Sequence, residues 1–141
     1  MNCSSDSKMP GAGTPRPHLV LLVDEDLRTT RRMADMLRED GLGVEVARDG
    51  AAAVARLARD PVPDALVTEL TTTHVEGAAI ARFARSRRPG LPILVLTGHP
   101  DLFEPSCCGA PLALLFTKPV DYVTLKDALL VALRTHAAGA P

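Results

Sequence analysis

Aromatic residues are scarce in this 141-residue chain: three phenylalanines, one tyrosine and no tryptophan. Its core must therefore be built from Leu, Val, Ile and Ala, with helices packed closely. Cysteine is scarce as well. Cys3, Cys107 and Cys108 are an odd number with two adjacent, which is no disulfide framework and fits a reduced, cytoplasmic protein. No Cys-x-x-Cys or His/Cys ligand spacing offers a zinc site. The longest early apolar run, Leu19–Val23, is far too short to cross a bilayer and lacks the layout of a secretory signal, so no membrane partner is expected. A net charge of −1 supplies no strong electrostatic drive toward nucleic acid or anionic lipid. What the chain does have is aliphatic: 46% of it is apolar, much of that alanine, in a length that suits one domain with one core.

Residues 1–17, MNCSSDSKMPGAGTPRP, are rich in Ser, Gly and Pro and are expected to be a flexible leader. Residues 137–141 are expected to fray. Between them short apolar runs alternate with longer helical patterns. The strand candidates are His18–Val23, Gly43–Ala47, Ala65–Thr68, Ile93–Leu96 and Leu112–Phe116. Four of these are near-continuous apolar runs, as strands buried on both faces are. GVEVA alternates and suits an edge. The helical stripes are Met33, Met36 and Leu37 before a stop at Gly41; Val54, Leu57 and Ala58 ending near Pro61; Ile80, Phe83 and Ala84 ending before Pro89; and Leu125, Leu129, Ala132 and Leu133. A helix around Asp101–Cys108 carries Pro105, which costs roughly 3 kcal/mol in a helix interior, so it is expected to be short, displaced or broken. Five strand–helix alternations imply a parallel sheet with helices on both faces. The flavodoxin-like order 2-1-3-4-5 is expected, with the ligand site beyond the carboxyl ends of the strands.

Those strand ends carry the chemistry. The first ends in Asp24, Glu25 and Asp26, the third at Glu69, the fourth at Thr97, and the fifth at Lys118 before Pro119. Carboxylates, a hydroxyl and an ammonium gathered at one rim form a set able to bind a hard divalent cation and to stabilise a phosphoryl group.

With these residues in place, the chain resembles the receiver domain of two-component response regulators over about residues 18–136. The resemblance implies a CheY-like fold and assigns family positions. The acid pair after strand one is Asp24 and Glu25, the phosphoacceptor position is Glu69, the switch hydroxyl is Thr97, and the phosphate-side Lys-Pro is Lys118 and Pro119. It also implies Mg2+ held by Asp24, Glu25 and Glu69. There are departures. The acceptor, an aspartate in the family, is Glu69, and a loop usually Met-Pro-Gly reads Thr72, Thr73, His74. The switch aromatic is Leu115; Phe116 lies one position late, where pleating turns it to the other face.

Glutamate is longer than aspartate by one methylene, which moves its oxygens by on the order of 1 Å, a misplacement that can cost about a hundredfold in rate. Little or no phosphorylation at Glu69 is expected. Its carboxylate is expected to reach toward Lys118 and Thr97 instead, as a partial mimic of the modified state. The implied function is that of a stand-alone, atypical receiver, not an enzyme, working by protein–protein interaction. No output domain is expected to follow the last helix. Its partners would be a histidine kinase, met at the first helix, or a downstream regulator, with a homodimer through residues 101–133 as a further expectation.

Plainer roles stand beside these. Glu69 pairs with Lys118, Asp24 and Glu25 benefit from the dipole of the following helix, and Thr97 caps a turn. Cys107 and Cys108 fill space, His74 is exposed, and Arg31, Arg32, Arg85, Arg87 and Arg88 form solvated faces. The alternative functions are a receiver that still accepts phosphate slowly, at Asp24 or Glu69, and a metal-dependent phosphatase of the haloacid-dehalogenase type. LLVDEDLRTT resembles the latter's nucleophile motif superficially. Leu27 and Arg28 do not fit it, and the late acid pair is missing. Flavin binding is set aside because the first loop has no Ser/Thr/Gly-rich phosphate cradle.

Overall fold

The structure, a computed structural model, describes residues 17–70, 77–102 and 113–139. Five strands form one parallel sheet: β1 (Leu19–Val23), β2 (Gly43–Ala47), β3 (Ala65–Glu69), β4 (Ile93–Thr97) and β5 (Ala113–Thr117). They lie side by side in the order β2-β1-β3-β4-β5, which is the expected flavodoxin-like topology. Register is parallel throughout, with Leu22 opposite Val46 and Val67, and Val95 opposite Thr68 and Leu115. The helices are α1 (Leu27–Glu39), α2 (Gly50–Leu57), α3 (Gly77–Arg87) and α4 (Tyr122–Gly139).

Strand pleating divides the core into two layers. Leu21, Val23, Leu66, Ile93 and Val95 face Leu57 of α2 and Ile80, Ala81 and Ala84 of α3. Val20, Leu22, Val67, Leu94 and Leu96 face Ala34 and Leu37 of α1 and Leu125, Leu129 and Leu133 of α4. Alanine at the helix contacts allows close approach, which is how so few aromatics suffice. Burial on both faces holds for β1, β3 and β4. It does not extend to β5, where Leu114 is 43% and Leu115 37% exposed. That strand lies at the sheet edge, so its apolar run is not a mark of a central strand. GVEVA forms the other edge, as its alternation suggests.

The helix ends have local causes. The Asp26 side chain caps α1 by accepting from the Thr29 backbone N–H, and Gly41 closes the exit with φ 95. Asp49 caps α2 in the same way. α3 begins at a point where only glycine fits: a Cβ on Gly77 would stand 2.7 Å from the Leu70 carbonyl oxygen, and the Gly77 N–H donates to that same oxygen at 2.8 Å. After β4 comes a 3-10 turn, Pro100–Leu102. The remainder of the expected broken helix, with Pro105, Cys107 and Cys108, lies outside the described residues, as do residues 1–16 of the leader and the Thr72–His74 loop. α4 continues to Gly139, past the 136 boundary drawn from sequence.

The arginines at the end of α3 are not the solvated face expected of them. Arg87 donates to the Leu57 carbonyl and to Asp60, each at 2.9 Å. Arg88 donates to Asp64 Oδ1 at 2.8 Å and to the Pro63 carbonyl at 3.1 Å. The other oxygen of Asp64 accepts the Leu19 N–H at 2.7 Å. One carboxylate thus joins the start of β1, the approach to β3 and the end of α3. Desolvation pushes the Asp64 pKa up, but the Leu19 and Arg88 bonds outweigh it and hold the group below its ordinary 3.8. A depressed folded-state pKa gives stability that is present above 3.8 and fades as pH falls through the folded value. Asp64→Asn is expected to lower the unfolding free energy by about 1–2 kcal/mol near neutral pH. Urea titrations repeated at acidic pH are expected to show a smaller further loss in this variant than in the parent.

Candidate functional site

Three strand ends converge on one ammonium. Asp24 follows β1 directly, and its backbone N–H donates to the Ala47 carbonyl of β2 at 3.2 Å. Glu69 is the last residue of β3. Lys118 follows β5, its N–H bonded to the Thr97 carbonyl of β4 at 2.8 Å, and it precedes Pro119 across a cis peptide. Lys118 Nζ lies 2.6 Å from Asp24 Oδ2 and 2.5 Å from Glu69 Oε1. All three side chains are largely withdrawn from solvent, with 17%, 13% and 32% exposure for Asp24, Glu69 and Lys118.

The remaining carboxylate oxygens are engaged too. Asp24 Oδ1 accepts the Asp26 N–H at 3.0 Å. Glu69 Oε2 turns back onto its own backbone and accepts the Leu70 N–H at 2.9 Å. Burial by itself would lower the Lys118 pKa. Its hydrogen bonds and charge interactions with Asp24 and Glu69 overcome that and raise it above 10.5. The ammonium is therefore fully charged throughout the physiological range.

Of the other residues singled out from sequence, Thr97 is completely buried, and its hydroxyl accepts the His99 N–H at 2.9 Å, the turn-capping arrangement. Glu25 is exposed at the turn into α1. Leu115 is half-exposed on β5, while Phe116 packs in the α1/α4 layer. The aromatic does point to the other face. Among the described residues no three His, Cys, Asp or Glu side chains stand where they could share a metal ion. Two of the donors expected for Mg2+, Asp24 and Glu69, share Lys118 as their common partner. Sequence reasoning missed the part of the Leu70 N–H, which no residue type signals. It also missed a cavity beside Asp24 lined by Met33 and Val120, among others.

Comparison with known proteins agrees with this geometry. Residues 20–130 match the profile of the response regulator receiver domain, and the chain belongs to that family. It is thus a receiver domain of two-component signalling, a signalling domain rather than an enzyme. The response regulator MprA of Mycobacterium leprae is 38% identical over 85 residues, which are 60% of this chain and 37% of that protein. MprA of Mycolicibacterium vanbaalenii is 35% identical over 88 residues, 62% of this chain and 38% of that one. The matches thus span well under half the length of these curated relatives. Among solved structures, a response regulator receiver protein from Sinorhizobium medicae superposes with a TM-score of 0.77 at 27% identity, covering 84% of this chain and 95% of that one. A receiver domain protein from Clostridium thermocellum, at 21% identity, gives the same TM-score over 86% and 98% and shows the fold alone.

Lys118→Met removes the one charge between two half-buried acids and leaves them facing each other. The expected loss is about 1–3 kcal/mol, less than for a fully buried pair because solvent reaches the site. Equilibrium urea unfolding at neutral pH measures it, and Glu69→Gln in the same background is expected to restore part of the loss.

Proposed function

We propose that this receiver acts by protein–protein contact from a fixed conformation, without phosphoryl transfer. The observation that carries this is the state of Glu69. It stands where the resemblance places the phosphoacceptor, and one of its oxygens is tied to Lys118 and the other to the Leu70 N–H. An attacking carboxylate needs an oxygen placed in line with phosphorus, beside a cation that neutralises the incoming charge. Here the ammonium is already shared between two carboxylates. Lys118 does the work that a divalent ion held by Asp24, Glu25 and Glu69 would otherwise do. Leu115, in place of a switch aromatic, gives the fixed state no aromatic rotamer to report through.

The partners that suit this role are a histidine kinase or a downstream regulator in the cytoplasm. The β5–α4 side offers the contact surface. Leu114, Leu115, Val123 and Val131 are exposed there, within the 101–133 region that would also serve a homodimer. No described helix is long and apolar enough to cross a membrane.

The test is phosphorylation. Incubation with acetyl phosphate and Mg2+, followed by intact-mass measurement under conditions that preserve acyl phosphates, is expected to show no adduct on the native chain. Beryllofluoride is expected to leave its amide spectrum unchanged. Glu69→Asp, which withdraws the carboxylate from Lys118 and Leu70, is expected to gain acceptance by about a hundredfold. Efficient phosphorylation of the native chain at Glu69 or Asp24 would overturn the proposal.

A further inference from the structure

A cavity of about 380 Å³ opens beside the Asp24–Lys118 pair, on the α1/α4 face of the sheet. Its walls are Leu22, Val67 and Leu96 from three strand ends, Met33 from α1, and Val120 from the loop that follows Pro119. Protein interiors are close-packed, and an apolar void forfeits the dispersion contacts its lining would otherwise make. This volume is within the range of small-molecule sites. It is more than twice that of an engineered apolar cavity able to hold benzene, which is about 150 Å³. Met33 adds an adaptable wall, since its unbranched side chain reshapes around whatever it meets.

The polar groups of the lining are Asp24, Asp26, Lys118 and the hydroxyl residues Thr29 and Thr30. Their charges do not cancel. Lys118 is held between Asp24 and Glu69, leaving that trio one negative charge in excess. Asp26 is exposed and, like any exposed aspartate, is ionised at neutral pH; its two oxygens accept the Thr29 N–H at 3.4 Å and the Thr29 hydroxyl at 2.9 Å. The half-charge of the α1 start offsets it only in part. Thr30 donates its hydroxyl to the Asp26 carbonyl at 2.8 Å and so offers an incoming group an acceptor rather than a donor. The arginines of α1 do not reverse this balance. Arg28, Arg31 and Arg32 are exposed; helical spacing puts Arg28 and Arg31 on the side of α1 away from Asp26, Thr29, Thr30 and Met33, and Arg32 at the flank of that face, three residues after Thr29. An anionic head would be repelled by the excess negative charge at Asp24 and Asp26, whereas a cationic one would be attracted by it.

We propose that this cavity is a binding site for a small organic cation, an ammonium or amidinium head on an apolar ring or chain. The body lies against Leu22, Val67, Leu96 and Val120, with the head between Asp24 and Asp26. The site uses the cavity and its rim charge alone, so it stands whether or not Glu69 accepts phosphate.

Tryptamine is a suitable probe, with indole-3-propionic acid and 3-ethylindole as its anionic and neutral counterparts. Each is titrated into the full chain and followed by backbone amide NMR. The expected result is saturable shifts with tryptamine centred on Met33, Val67, Leu96 and Val120, with the acid binding at least about fivefold more weakly. Asp26→Asn is expected to weaken tryptamine by about the same factor while leaving 3-ethylindole unchanged. Val120→Phe fills the cavity and is expected to abolish binding of both indoles. Val120→Leu, a milder filling, is expected to weaken both and serves if the larger residue prevents folding. No saturable shifts with tryptamine, shifts centred elsewhere, an acid that binds as tightly as the amine, or binding indifferent to the Val120 substitutions would each overturn the proposal.

Discussion

One ammonium allows the carboxyl end of this sheet to exist as it does. Asp24 and Glu69 end two adjacent strands, β1 and β3, and both are turned inward, away from most solvent. Two ionised acids so placed repel each other and are poorly hydrated. Lys118 reaches them from β5, across the ends of β4 and β3, and pairs with both. The hydrogen bonds around the trio follow from that choice. With Lys118 on one oxygen of each acid, the second oxygen is left for a nearby backbone N–H, from Asp26 in one case and Leu70 in the other. The result is a closed set in which all four carboxylate oxygens have partners.

The rest of the fold delivers these three residues to one place. Parallel pairing in a fixed register sends every strand end to the same rim. The two apolar layers prevent slippage, because a one-residue shift would exchange the buried faces. At the opposite rim Asp64 joins β1, β3 and α3 through Leu19 and Arg88. The sheet is thus secured at both ends by a carboxylate, with one end accepting mostly backbone and guanidinium donors and the other a lysine. Gly77 completes the frame, since a larger residue would keep α3 from starting so close beneath the end of β3.

Much of this was legible in the residue pattern. Period-two and period-3.6 apolar spacing locates the elements, and the strand-end rule brings Asp24, Glu69, Thr97 and Lys118 together before any coordinates are consulted. What was hidden has physical reasons. An apolar run like that of β5 looks the same at an edge as in the middle of a sheet, so the exposure of Leu114 and Leu115 depends on neighbours the sequence does not name. Arg87 and Arg88 resemble surface residues until the carbonyls of Leu57 and Pro63 are in position to receive them. The cavity is the sum of small choices among its lining residues, none of which is unusual alone.

The partners in the Asp24–Lys118 bond are 94 positions apart, and this has a consequence for synthesis. A ribosome releases both acids well before it releases the lysine that reconciles them. Until the final strand emerges, a nascent sheet that has gathered β1 and β3 carries two like charges side by side and gains least from closing early. Emergence of Lys118 with β5 removes that penalty, so the charge cluster favours closing β1, β3 and β5 together over pairing the first two alone.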